Sequence, residues 1–95
     1  MIISIDFDQT FSADPKMWGE FARQATLAGN IVVMITRRQD TPDNQKEIAD
    51  TLGVYAAAFS QVMLIGTDTL KAHAAAAAGI SVDVWVDDSP QTVMG

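Results

Sequence analysis

Four short runs of this chain are apolar almost without interruption: 2–5, 31–35, 62–65 and 82–86. None of them alternates apolar with polar residues. Continuous apolarity over four to six residues is the pattern of a strand covered on both faces, as in a parallel sheet. Three segments between the runs follow a helical period instead. The first covers about 15–28, with Asp14 as its N-cap, Pro15 at the first helical position and Gly29 past its end. The second, about 42–52, repeats that punctuation with Thr41, Pro42 and Gly53, and its apolar stripe is thin (Ile48, Ala49, Leu52). The third, about 69–78, carries the run Ala74 to Ala78 and stops at Gly79. Alanine is the strongest intrinsic helix former, and a helix with so small a face packs close to a sheet.

Strand and helix therefore alternate from one end to the other. That order predicts an α/β fold: a doubly wound, mostly parallel, four-stranded Rossmann-like sheet with right-handed crossovers. No linker or internal repeat divides the chain, so residues 1–95 read as one domain. Segment 54–60 fits loop, helical turn or strand equally well. Met17, Trp18, Phe21 and Trp85 are expected in the core, with Phe11 and Tyr55 at a pocket mouth and His73 at the surface or in packing.

Composition narrows the chemistry. With 95 residues and 48% hydrophobic content the chain can bury one core, and a mean hydropathy of +0.13 gives no sign of disorder. The formal charge of −6 weighs against a general nucleic-acid or anionic-membrane surface. The absence of cysteine excludes disulfides, a thiol nucleophile and thiolate metal sites, and one histidine makes a typical zinc site a poor fit. No apolar run is long enough to span a bilayer. No basic segment followed by a long apolar stretch opens the sequence, and the expected location is the cytoplasm.

Polar residues follow the apolar runs in a telling order. Asp6 and Asp8 come after the first, Thr36 after the second, and Asp87 and Asp88 after the fourth; Lys71 lies in the first turn of the third helix. In an open parallel sheet all of these reach the carboxyl edge, where ligands bind. Taken alone, Asp-x-Asp after a strand is often a turn former or helix cap, and Asp87-Asp88-Ser89-Pro90 admits the same reading. Together, with Thr36 and Lys71 between them, they resemble the haloacid dehalogenase superfamily of phosphotransferases. That family's first motif, Asp-x-Asp-x-Thr, is matched by Asp6-Phe7-Asp8-Gln9-Thr10. Its strand-terminal Thr is matched by Thr36, its Lys by Lys71, and its late acidic pair by Asp87-Asp88.

The resemblance implies a Mg2+-dependent phosphomonoester hydrolase. Asp6 would be the nucleophile that forms an aspartyl-phosphate, and Asp8 the acid and then base. Lys71 and Thr36 would grip the phosphate oxygens, in the company of Gln9 and Thr10. Mg2+ would be held by Asp6, the Asp8 carbonyl and Asp87, with Asp88 assisting through a water or by holding Lys71. One of Arg37 and Arg38 could touch a substrate anion.

The chain departs from the family in two ways. Gln9 stands where the commonest form of the first motif has glycine. Only 27 residues separate Asp8 from Thr36 and 34 separate Thr36 from Lys71, so neither gap houses a cap domain. A bare site suits a bulky phosphorylated substrate or a partner acting as lid, and an unguarded sheet edge invites homodimerisation. The substrate class stays open. Two other readings compete: a non-enzymatic interaction module that keeps the metal, and a phosphoryl-accepting receiver module. The late acidic pair and the early Lys71 run against the usual receiver order.

Overall fold

Strand β1 (Ile2–Ile5) lies inside a four-stranded sheet whose order is β3-β2-β1-β4, with every neighbouring pair parallel. The structure is a computed structural model and describes residues 1–95. Helix α1 (Pro15–Leu27) leads to β2 (Ile31–Thr36), and α2 (Pro42–Leu52) with a 3-10 helix (Gly53–Ala58) leads to β3 (Gln61–Leu64). Helix α3 (Lys71–Ala77) then returns the chain across the sheet to β4 (Val84–Val86), and a short helix α4 (Gln91–Met94) closes the sequence. The fold is α/β with helices on both faces, as the alternation of runs and periods predicted, and no domain is inserted at any crossover.

The strand residues divide between two cores because successive side chains point to opposite faces. On one face Ile3, Ile5, Val32 and Met34 pack with Ala22 of α1, Ile48 and Leu52 of α2, Phe7, Phe11 and Phe59. On the other, Val33 and Ile35 meet Ala75 of α3, flanked by Met63, Ile80 and Trp85. This two-sided burial is why β2 has no polar residue before Thr36.

Local chemistry sets the helix ends where the sequence placed them. The Asp14 side chain accepts from the Met17 amide at 3.2 Å, and Thr41 accepts from the Asn44 amide at 3.2 Å. Each satisfies an amide that the first turn leaves without a partner. Gly29 takes φ +92°, a left-handed value open to glycine at little cost.

Several boundaries and core assignments differ from expectation. Helix α3 starts at Lys71 and not at 69. β4 begins at Val84 because the Asp83 carboxylate accepts the Ile2 amide at 2.7 Å, replacing a ladder partner with a side chain. β3 runs 61–64, one residue earlier than expected, and Thr36 belongs to β2. Segment 54–60 falls mainly in the 3-10 helix. Met17 and Phe21 are exposed at 47% and 41%, and Trp18 and Trp85 are half-buried, so the aromatic weight of the core comes instead from Phe7, Phe11 and Phe59. Phe11 is fully buried and lines no pocket mouth. Tyr55 lies against α1, where its hydroxyl donates to Glu20 at 3.0 Å. His73 is exposed.

Candidate active site

The strand order decides where the carboxylates meet. From β1 the chain moves outward through β2 to β3, then crosses back to place β4 on the other side of β1. The loops after β1 and β4 therefore leave in different directions, and a crevice opens at their carboxyl ends. The Asp6 amide extends the ladder by donating to the Val86 carbonyl at 2.9 Å, which sets Asp6 beside the start of the Asp87-Asp88 loop. Residues 81 positions apart in sequence thereby become neighbours.

Here a cleft of about 300 Å³ is lined entirely by polar and charged residues: Asp6, Asp8, Gln9, Arg37, Arg38, Lys71, Asp87, Asp88, Ser89 and Thr92. Carboxylate oxygens of Asp6, Asp87 and Asp88 all lie within 4.8 Å of one another. Lys71 enters from the first residue of α3 with its side chain only 3% exposed, and its ammonium donates to Asp6 Oδ1 at 2.7 Å and Asp87 Oδ2 at 2.5 Å. The second Asp87 oxygen accepts the Ser89 amide at 2.8 Å, fixing that carboxylate from both sides. Asp88 makes no bond to Lys71; its one side-chain partner is the Thr10 hydroxyl, at 3.4 Å.

Burial dominates the titration of Asp6. Removal from water pushes its pKa up from 3.8 to about 6, against the hydrogen bond from Lys71 that pulls it down, while Asp88 and Asp87 push it further up. A carboxyl so placed is reluctant to ionise until more positive charge arrives. Three carboxylate oxygens in this arrangement are hard donors, and hard divalent cations take such sets.

Asp8 has a separate environment. Arg38 grips it with two hydrogen bonds, Nε to Oδ2 at 3.0 Å and Nη2 to Oδ1 at 2.8 Å, the fork geometry that suits a carboxylate. The same guanidinium donates to Asn44 at 3.2 Å and to Glu47 and lies 5.0 Å from the Phe7 ring centroid. Its two carboxylate partners hold Arg38 above the usual guanidinium range.

The structure thus brings Asp6, Asp8, Gln9, Lys71, Asp87 and Asp88 to one cleft. It does not bring Thr36 there. That residue is 1% exposed, and its hydroxyl accepts the Arg38 amide at 3.3 Å, shaping the turn after β2. Thr10 is also buried and borders a shallower pocket beside Asp87 and Asp88. Gln9 adopts φ +61°, a left-handed value that glycine would take at less cost.

Sequence reasoning missed the Arg38 clamp and the Ser89 and Thr92 contributions. The clamp left a faint signal, since Asn44 and Glu47 are three residues apart on one face of α2; nothing in the sequence tied that face to Asp8. No family model, curated protein or solved structure matches this chain.

Proposed function

We propose that this chain is a Mg2+-dependent phosphomonoester hydrolase that works through an aspartyl-phosphate on Asp6, as its resemblance to the haloacid dehalogenase superfamily implies. One observation carries the reading: Asp6, Lys71, Asp87 and Asp88, from the ends of β1 and β4 and the start of α3, converge in a polar cleft at the reversal of strand order. Mg2+ fits the donor chemistry, and Asp6, Asp87 and Asp88 would hold it. When bound it would supply positive charge against the phosphate oxygens.

The protein's own groups divide the remaining work. Asp6 supplies a carboxylate oxygen that bonds to phosphorus while the bond to the leaving oxygen breaks. Asp8 delivers a proton to that leaving oxygen. It then accepts a proton from water as the water oxygen attacks phosphorus, freeing inorganic phosphate and the Asp6 carboxylate. Lys71 keeps Asp6 oriented and sets a positive charge beside the reacting group. Arg38 fixes the Asp8 carboxylate, and each Asp8 oxygen retains a second lone pair for the proton.

A second reading has its own observation. Both Asp8 oxygens are engaged by Arg38, and a two-pronged ion pair of this kind serves to hold a loop in place as well as to orient a catalytic group. A non-enzymatic module that binds a divalent cation would look the same. A broad phosphomonoester panel, run with Mg2+ and with EDTA, separates the two. The hydrolase reading expects Mg2+-dependent phosphate release that is lost in Asp6→Asn. Protein that binds Mg2+ and releases no phosphate from any member of the panel refutes it.

A further inference from the structure

Three cations line the cleft, and two of them are already neutralised. Lys71 is bonded to Asp6 and Asp87, and Arg38 to Asp8 and Glu47. Arg37 pairs with no carboxylate. Its Nη2 donates to the Thr67 carbonyl at 2.5 Å, which anchors the guanidinium against the loop after β3. Its Nε is buried without any hydrogen-bond acceptor, and no other side-chain nitrogen or oxygen in the chain is left so. A buried donor on a charged group without a partner is costly, and here it belongs to a residue of the cleft wall.

The position of Arg37 distinguishes it from the reacting centre. The acidic triad lies over β1 and β4, whereas Arg37 follows β2 and is tied to the loop after β3. Neighbouring strands are about 4.8 Å apart, so this guanidinium serves a group several bonds away from the phosphorus that Asp6 would attack. The rest of the wall narrows the ligand. A cleft of about 300 Å³ is at the small end of ligand sites, and with no apolar lining it offers nothing for an aromatic base to rest on.

We propose that Arg37 is the specificity-determining residue of the cleft, and that the substrate is a small polar phosphomonoester carrying a second anion, a carboxylate or a further phosphate, which Arg37 binds. The proposal rests on the hydrolase reading for the identity of the first phosphate. A guanidinium fork suits either second anion. The Nη2 bond to the Thr67 carbonyl fixes the orientation of the guanidinium before the ligand arrives, which lowers the ordering cost of binding.

The test measures binding without turnover, by isothermal titration in Asp6→Asn protein with Mg2+ present. Two matched pairs differ in the second anion: 3-phosphoglycerate against glycerol 3-phosphate, and fructose 1,6-bisphosphate against fructose 6-phosphate. The expected result is that the doubly anionic member of at least one pair binds about tenfold or more tightly, and which pair responds tells carboxylate from phosphate. Adding Arg37→Met collapses that preference, and Arg37→Lys retains part of it. Equal binding within both pairs, a preference that survives Arg37→Met, or no binding of any of the four ligands overturns the proposal. The unsubstituted Asp6→Asn protein alone decides the first and last of these, so a poorly folding Arg37 variant cannot rescue it. Hydrolysis by the wild type is scored separately and bears only on the hydrolase reading.

Discussion

Ionising Asp6 works against the fold, and the size of the effect follows from its surroundings. In the folded protein its carboxyl titrates at about 6, and the ordinary value is 3.8. Between those two pH values the folded state keeps a proton that the unfolded chain has released. Stability therefore falls as pH rises through this window. Each pH unit is worth about 1.4 kcal/mol, and with midpoints of 3.8 and about 6 the group withdraws about 2 kcal/mol between pH 4 and pH 7. Other carboxylates contribute slopes of their own, and Asp6→Asn serves as the reference that removes only this one. The assay is urea denaturation in EDTA across that range, for both proteins. The stability of wild type relative to Asp6→Asn should drop by about 2 kcal/mol as the pH rises. Mg2+ should shrink the drop, because a cation on the ionised carboxylate offsets the cost of its burial. A relative stability that stays flat across the window, or that rises, refutes the assignment of burial as the dominant influence on Asp6.

Three further outcomes are expected. Lys71→Met removes the cation between Asp6 and Asp87, both nearly buried; urea denaturation at pH 7 in EDTA should show a loss of about 3–5 kcal/mol. The loss should be smaller at pH 5, where Asp6 is largely protonated. Gly19→Ala would ordinarily strengthen a helix interior by about 1 kcal/mol, but an added Cβ in α1 would lie 2.2 Å from the Tyr55 ring. Thermal melting should instead show destabilisation of about 1–3 kcal/mol, turning to stabilisation in a Tyr55→Ala background. Arg38→Met frees the Asp8 carboxylate from its fork; under the proposed hydrolase reading kcat should fall by up to about 100-fold, read by steady-state phosphate release in saturating Mg2+.

Much of the fold could be read from the chain because its strands are covered on both sides. Val32, Val33, Met34 and Ile35 are buried on alternate faces, so neither face needed a polar residue and the run stood out. Capping was legible for a similar reason, since Asp14 and Thr41 act on amides three residues away. The errors arose where a distant group decided the outcome. Val82 and Asp83 look like strand until the Asp83 carboxylate takes the amide of Ile2 across the sheet. Met17 and Phe21 share the helical period of a core face, yet the face of α1 that turns inward carries Gly19 and Ala22, because the Tyr55 ring presses directly on Gly19.

The site divides along the same line. Thr36, at the end of β2, stays out of the cleft with its hydroxyl on the Arg38 amide, but topology sets the ends of β1 and β4 side by side, which is why Asp6, Asp87 and Asp88 meet as expected. Their protonation and freedom depend on side chains arriving from helices, and no local pattern encodes that. Lys71 is the connecting case. It was legible as a cation near the acidic edge, but not as one held between Asp6 and Asp87. In that position it does part of what a divalent cation would do, keeping carboxylates that repel one another together within 4.8 Å. The compensation is incomplete, since Asp6 still titrates near 6. One ammonium faces three carboxylates, so the cleft keeps excess negative charge, and under the proposed hydrolase reading Mg2+ would balance it. The same imbalance that weakens the fold at neutral pH would then be what draws a cation to the site.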